Sequence, residues 1–160
     1  MRWADLEAAA PDLARLGRER LELIGLAFLG TVRPNGAPRI SPVEPFLVEG
    51  ELVFGAMSFS AKAHDLRRDL RCVLHSVVTA PNAGEGELKL YGRAVEVTDP
   101  QLRAASPEAW WVPRPTEDAL VAALDIERAV FVSWDLQRGS MTVRRCSEQA
   151  GATISTRSYP

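Results

Sequence analysis

Two strand-like segments joined by a tight turn place the strongest limit on how this chain can fold. Residues 26–33, LAFLGTVR, are rich in residues that favour β-strands, and residues 39–48, RISPVEPFLV, alternate between apolar and polar positions. Asn35 and Gly36 lie between them and suit the positive φ angles of a hairpin turn. Because prolines 42 and 45 cannot donate ladder hydrogen bonds, the second segment is predicted to be an edge or bulged strand.

Further strand-like segments follow, and one helix interrupts them. Glu49 and Gly50 predict a second turn, into ELVFGAM. About six strands with short turns and one inserted helix predict a mainly β fold with helices, a six-stranded antiparallel β-barrel, because closure removes exposed sheet edges. The later strand-like segments are RCVLHSVVT, ELKLYGRAVEVT, AVFVSWDL and SMTVRRC.

The rest of the chain is predicted to form one domain with this barrel, since 160 residues suit a single core. Residues 1–24 are predicted to be an N-terminal helical region in which Pro11 starts a second helix and Gly25 ends it. Residues 25–146 are predicted to form the barrel core. Residues 147–160 have little apolar periodicity and are predicted to be a loosely ordered tail.

Composition argues against several classes of function. The net charge of −2 lacks the basic excess of most nucleic-acid-binding proteins, although it leaves room for a local basic pocket. No segment approaches the ~20 apolar residues that span a bilayer, and the N-terminus lacks the layout of a signal peptide. The two cysteines have no metal-type spacing. We therefore expect a cytoplasmic protein without a nucleic-acid or membrane partner.

The segment FSAKAHDLRRDLR, residues 59–71, suggests a binding site for phosphate. It predicts a helix from about Ser60 to Leu70, whose first backbone N–H groups lack intrahelical partners and carry a partial positive charge. Ser58 and Ser60 add hydroxyl groups at this end, and Lys62 adds a full charge. Such a donor set is suited to a phosphate group.

The same segment also has a purely structural interpretation. In it, Ser60 only caps the helix, and Lys62 and the arginines form a solvated face balanced by Asp65 and Asp69. In both interpretations an apolar stripe attaches the helix to the barrel. The stripe consists of Phe59, Ala63, Leu66 and Leu70.

A few other residues could take part in a site. His64 is expected on the surface; His75 could face a cofactor cleft or simply lie on a strand face. Trp110 and Trp111 are either core or interface aromatics, or part of a lid or dimer contact. Cys72 is expected to be a buried small hydrophobe.

The order of these elements resembles the pyridoxamine 5′-phosphate oxidase-like flavin-binding split β-barrel family. The resemblance covers about residues 25–98, with weaker similarity near 129–146. It combines an Asn-Gly-x-Pro hairpin, a Ser-Pro-Val strand, and a Ser-x-Lys-Ala helix start followed by Arg-Arg-Asp. The resemblance implies a homodimer of six-stranded split barrels, with one cofactor in each of two clefts between the subunits.

The resemblance also implies which residues contact the flavin, taken as FMN. Lys62 matches the family lysine on the cofactor phosphate, and Ser60 and Ala61 flank it in the same loop. The charge of the phosphate itself calls for a further cation, for which Arg67 or Arg68 is suited. Other matching residues would contact the rest of the cofactor, the last two from the partner chain. They are Ser41, Pro42, Val43, Trp134 and Arg144.

Several positions depart from the family's founding enzyme. Ser140 and Thr142 occupy the places of the Arg and His that hold its substrate, and Ser41 and Phe46 replace an expected Arg and Lys. Glu87 replaces a glutamine. These differences argue against formation of pyridoxal phosphate.

The favoured function is therefore an FMN-dependent oxidoreductase acting on a small-molecule substrate. No catalytic or metal-binding side chain is assigned, since a flavin carries its own hydride chemistry. The alternatives are a reductase that uses a deazaflavin, coenzyme F-420, a non-catalytic flavin carrier or sensor, and a dimeric module without a cofactor.

Overall fold

The computed structural model describes residues 1–79, 86–105 and 119–158. Within these ranges, four helices and nine strands are seen. The helices are α1 (Trp3–Ala9), α2 (Pro11–Ile24), α3 (Ala61–Arg68) and α4 (Pro100–Ala105). The strands are β1 (Ala27–Val32), β2 (Pro38–Val43), β3 (Pro45–Val48), β4 (Glu51–Met57), β5 (Arg71–Ser76), β6 (Glu87–Glu96), β7 (Ala119–Asp135), β8 (Ser140–Ser147) and β9 (Gly151–Ser158).

The hydrogen-bonding order of the strands shows that the sheet closes on itself. The order is β2-β1-β5-β6-β7-β4-β3, and every pair is antiparallel. The two outermost strands, β2 and β3, are joined by the single residue Glu44, so the two edges of the sheet must meet. Counted together, β2 and β3 form one interrupted side of a six-sided barrel, which confirms the predicted six-stranded antiparallel barrel.

The long strand β7 explains why the barrel is split. One side of β7 pairs with β6 along most of its length, whereas the other side pairs with β4 over residues 119–123 and with β8 over residues 128–135. The strands β4 and β8 therefore follow one another along the same edge of β7. There β8 pairs with β7 over its whole length and with β9 on its other side, and we refer to β8 and β9 together as the ribbon.

The ribbon corrects the predicted loose tail at residues 147–160. Residues 151–158 form β9, which pairs with β8 from Ser147↔Gly151 to Ser140↔Ser158. All of β9 except Ser155 is exposed to solvent. Backbone pairing holds this strand, together with side-chain hydrogen bonds from β8 to Ser155 and Thr156. Because the strand buries almost no apolar surface, its sequence lacks apolar periodicity.

The N-terminal helices agree with the prediction. The helix α2 begins at Pro11, in the first helical position where proline is tolerated, and ends before Gly25, whose φ is 69°. This helix packs on β5, β6 and β7, and α1 packs on β4. None of the described helices is long and apolar enough to cross a bilayer.

The two predicted turns differ in their backbone conformation. In the first, the N–H of Gly36 donates to the carbonyl of Arg33 at 2.9 Å, and only Gly36 has a positive φ, of 82°. The prediction of a positive φ at Asn35 as well is wrong. In the second, Glu49 and Gly50 both have positive φ, 49° and 78°, as a two-residue hairpin turn of the primed type requires.

A β-bulge bends the barrel between β6 and β7. Tyr91 faces Arg128 and Gly92 faces Ile126, so Glu127 is an extra residue in β7. A Cβ atom on Gly92 would lie 2.0 Å from the carbonyl oxygen of Asp125. Only glycine allows the two backbones to approach this closely.

Candidate functional site

The start of α3 forms one corner of the barrel, between the end of β4 and the β1–β2 hairpin. The predicted helix is confirmed, although it ends at Arg68 rather than Leu70. Ser60 is its N-cap, and its Oγ accepts a hydrogen bond from the N–H of Ala63 at 3.3 Å. The N–H groups of Ala61 and Lys62 lie in the first turn, where helix geometry provides no intrahelical acceptor. They remain available as donors.

Lys62 joins this corner to β2. Its Nζ atom donates to the carbonyl oxygen of Pro42 at 2.7 Å, so the structure brings together the segments predicted to contact the cofactor, Ser41–Val43 and Ser60–Lys62. Burial lowers the pKa of the Lys62 ammonium below its ordinary value, and the nearby carboxylate of Glu44 partly opposes that effect. A bound anion at this corner would act on Lys62 as Glu44 does, raising the pKa of the ammonium and favouring its charged form.

Asp65, one helical turn later, is buried rather than solvated. Only 2% of its surface is exposed, and its Oδ2 atom accepts hydrogen bonds from the hydroxyl of Thr31 at 2.9 Å and from Nε of Arg39 at 2.6 Å. Burial by itself raises the pKa of Asp65, but the hydrogen bonds from Arg39 and Thr31 outweigh it, and the pKa lies below its ordinary value. The expectation of a solvated Asp65 is wrong.

Arg68 completes a polar stripe on α3. Lys62, Asp65 and Arg68 recur every three residues, so they lie on one face of the helix. That face is turned to the β1–β2 hairpin, where Nη2 of Arg68 donates to the carbonyl of Val32. We refer to Lys62, Asp65 and Arg68 as the polar stripe.

The predicted apolar stripe is only half correct. Ala63 and Leu66 are buried in the core. Phe59 and Leu70 are not, since they are 74% and 39% exposed. Polar contacts with the hairpin therefore do part of the anchoring that was expected from these two side chains.

Arg67 lies at the same corner. Its Nη1 atom donates to the carbonyl oxygen of Ser58 at 2.8 Å, and its side chain is otherwise exposed. The guanidinium group is therefore held beside the loop that leads into α3. Its role as a further cation for the phosphate stays a prediction.

The three predicted residues of β2 differ in exposure. Val43 is buried in the core, Ser41 is half-buried, and Pro42 is exposed. Pro42 is opposite Phe28 in β1, and Ile40 lies two residues from it on the same face. Ile40 and Phe28 are 73% and 44% exposed, so an apolar surface adjoins the corner.

Trp134 and Arg144 do not come together. Trp134 is paired with Met141 and Arg144 with Phe131, so the alternation of side chains places them on opposite faces of the β7–β8 pair. Nη1 of Arg144 lies 3.4 Å from the hydroxyl of Ser133, and its Nε is buried without a partner among the described residues.

A second polar group lies on the outer face of β5 and β6. Nδ1 of His75 lies 2.6 Å from the carbonyl oxygen of Ser76, and Nε2 lies 3.3 Å from Oε2 of Glu87, which also forms an ion pair with Lys89. Whether His75 faces a cofactor stays a prediction. His64 is exposed, as expected for a surface histidine.

The remaining candidates add no chemistry to the corner. Cys72 is buried, as predicted, and burial raises its pKa to about 12. Trp110 and Trp111 lie outside the described residues. Across the parts of the chain that the structure describes, no group of three or more metal-ligating side chains occurs.

The donors at the corner fit a phosphate group. An ammonium, two free N–H groups of a first helical turn and an exposed guanidinium all carry positive charge or donate hydrogen bonds. The adjoining apolar surface at Phe28 and Ile40 suits the ring system of a nucleotide-like molecule. Fold and corner together define a split β-barrel protein with a helix start whose donors suit an anion.

The family model described as pyridoxamine 5′-phosphate oxidase matches residues 16–133, which is more than half of the chain. The chain therefore belongs to this family. No curated protein shows a significant match to it.

Solved structures share the fold at low sequence identity. A pyridoxamine 5′-phosphate oxidase-related, FMN-binding protein from Nostoc punctiforme is 16% identical with a TM-score of 0.60, over 94% of this chain and 96% of that one. PhzG from Burkholderia lata, solved with tetrahydrophenazine-1-carboxylic acid, is 16% identical with a TM-score of 0.60, over 95% and 88%. A heme-binding protein from Mycobacterium smegmatis is 14% identical with a TM-score of 0.57, over 90% and 88%.

Proposed function

We propose that this protein binds FMN at the α3 corner and acts as a flavin-dependent oxidoreductase on a small-molecule substrate. The observation that carries the proposal is the half-buried ammonium of Lys62, which lies at the start of the helix and donates a hydrogen bond to the neutral carbonyl of Pro42. A partly dehydrated cation beside free N–H groups is well suited to an anion. Membership of the family makes a flavin phosphate the preferred anion.

In this proposal the residues of the corner have separate roles. Lys62 supplies a full charge to the phosphate, and the backbone N–H groups of Ala61 and Lys62 supply directed donors. Ser60 can donate its hydroxyl hydrogen while its oxygen still accepts from Ala63. Arg67 contributes positive potential from its place beside Ser58. The bound flavin would supply the hydride chemistry.

The ring of the flavin is proposed to lie along β2, beside Ser41, Pro42 and Val43. A homodimer would complete the cleft from the other side, and Trp134 of the partner subunit is proposed as a ring contact. Arg144 points to the opposite face of the β7–β8 pair, so one flat ring cannot contact both of these side chains from a single face. We therefore assign only Trp134 to the ring.

Formation of pyridoxal phosphate is not proposed. Ser140 and Thr142 are neutral, and the hydroxyl of Thr142 already pairs with that of Thr156 at 3.1 Å. Two hydroxyl groups cannot replace the charge and the bidentate geometry of an arginine at a substrate phosphate. The substrate is therefore proposed to be a different small molecule.

The test is to identify what the purified protein carries and what it binds. Mass spectrometry of the molecule released on denaturation should identify FMN, and titration with FMN should give saturable binding. Titrations with coenzyme F-420 and with heme under the same conditions separate the two alternatives. Binding of either one in the absence of FMN binding would overturn the assignment. Turnover with reduced nicotinamide would separate an enzyme from a non-catalytic flavin carrier.

A further inference from the structure

Two hydrogen bonds join α3 to β2. Nζ of Lys62 lies 2.7 Å from the carbonyl oxygen of Pro42, and Oδ2 of Asp65 lies 2.6 Å from Nε of Arg39. The two helix residues are three positions apart, and so are the two strand residues. The helix is therefore joined to the strand at two points, one turn apart on the helix.

The second contact is the more rigid of the two. Asp65 and Thr31 are both 2% exposed, and the carboxylate accepts from the Thr31 hydroxyl as well as from Arg39. Buried hydrogen bonds to a charged group are costly to break, because the abandoned partners stay away from water. Asp65 therefore ties α3 to β1 and β2 at the same time.

The first contact is flexible by comparison. The lysine side chain has four rotatable bonds, so its ammonium can take several positions and moves when the start of the helix moves. Binding is strongest when donors are already in place, because less conformational freedom is then lost. A fixed helix axis is thus what holds Lys62 and the first-turn N–H groups in one arrangement.

We propose that Asp65, through Arg39 and Thr31, is a positioning residue that sets the phosphate-binding donors of α3. The inference rests on the proposed binding of FMN at this corner. It implies that Asp65 contributes to recognition of the phosphate although it does not touch it. Asp65 should not affect the binding affinity contributed by the ring and the ribityl chain of the cofactor.

The experiment compares FMN with riboflavin, which has the same ring and lacks the phosphate. The ratio of the two dissociation constants is measured for the wild type, Asp65→Asn, Thr31→Val and Lys62→Ala. In Asp65→Asn the preference for FMN should fall by about threefold to tenfold, as expected within one polar network, with riboflavin affinity nearly unchanged. Asp69→Asn is the matched control, since Asp69 follows the same helix and pairs with Arg71, and its ratio should stay at the wild-type value.

A double-mutant cycle adds a readout that a merely structural role would not produce. If Asp65 acts by placing Lys62, then Asp65→Asn should have little further effect on the ratio once Lys62 is alanine. Equal losses of FMN and riboflavin affinity, or full additivity with Lys62→Ala, would overturn the inference. Should Asp65→Asn fail to fold, Thr31→Val removes only one donor and decides the question by the same ratio.

The proposed function and this inference fail in different ways. A wild-type protein that binds neither flavin, or binds both equally, contradicts the phosphate site itself. A wild type that prefers FMN through Lys62, with an unchanged ratio in Asp65→Asn and Thr31→Val, contradicts only the positioning role.

Discussion

The ammonium of Lys62 donates a hydrogen bond to the carbonyl of Pro42 at 2.7 Å and so joins the start of α3 to β2. A helix that carries free N–H groups and a strand with an exposed apolar face meet at this bond. The barrel thus presents hydrogen-bond donors suited to a phosphate next to an exposed apolar surface. Because the carbonyl of Pro42 is neutral, the hydrogen bond from Lys62 does not neutralise the positive charge of the ammonium.

Replacing Lys62 with alanine should weaken binding of FMN by about 1–3 kcal/mol, because a charge-assisted hydrogen bond to the phosphate is lost. Fluorescence titration of the flavin measures the dissociation constant. Lys89→Ala is the matched control, since Lys89 is the only other lysine and pairs with Glu87 on β6. An unchanged constant in Lys62→Ala would contradict the assignment of the phosphate.

Asp65 should make the stability of the fold depend on pH in acid. Its pKa is lower in the folded chain than in the unfolded chain, so the unfolded chain binds more protons and stability is lost as pH falls below about 4. At pH 7, Asp65→Asn should lower the free energy of unfolding by about 2 kcal/mol. Urea denaturation from pH 7 to pH 3 should show the gap from wild type narrowing. A gap that stays constant across that range would contradict this account.

Gly92→Ala should destabilise the barrel by about 3 kcal/mol or more, because the new Cβ would lie 2.0 Å from the Asp125 carbonyl oxygen, a backbone atom. Gly151→Ala serves as the comparison. Its Cβ would meet nothing within 4 Å, and its cost of about 1–2 kcal/mol should come from the positive φ of 65° alone. Equal losses in urea denaturation would show that the bulge tolerates a side chain.

Neither cysteine should react readily while the protein is folded. Burial raises the pKa of the Cys72 thiol to about 12, with a smaller contribution from Glu127, and burial also raises the pKa of Cys146. Because the thiolate is the reactive form, labelling by Ellman's reagent at pH 8 should be at least about tenfold slower than in guanidinium chloride. One rapidly labelled thiol in the native protein would disprove this expectation.

Local features of the barrel were predictable because each depends on neighbouring residues. Gly36 and the Glu49-Gly50 pair indicate turns through their own backbone preferences. Pro42 and Pro45 indicate an irregular strand, and the structure shows β2 and β3 interrupted between them. The strand β9 was not predictable in this way, since strands that bury neither face have no hydrophobic pattern to read.

The corner was predictable only in part. Ser60 and Lys62 carry a local signal, because a cap and a cation at a helix start need no other segment to be recognised. Asp65 carries no such local signal, because its burial depends on Arg39 and Thr31, which are distant in sequence. The recurrence of polar residues at 62, 65 and 68 was the available signal, and it is equally typical of an exposed helix face.

The single residue between β2 and β3 has a consequence for how quickly the protein folds. Glu44 joins β2 to β3 covalently, so these two edge strands are neighbours in the chain from the start. The barrel can close only when β4 pairs with β7, and in that pairing Val53 lies opposite Ala123, which is distant in the sequence. Loop-closure entropy opposes that encounter, so we expect the β4–β7 pairing to limit the refolding rate.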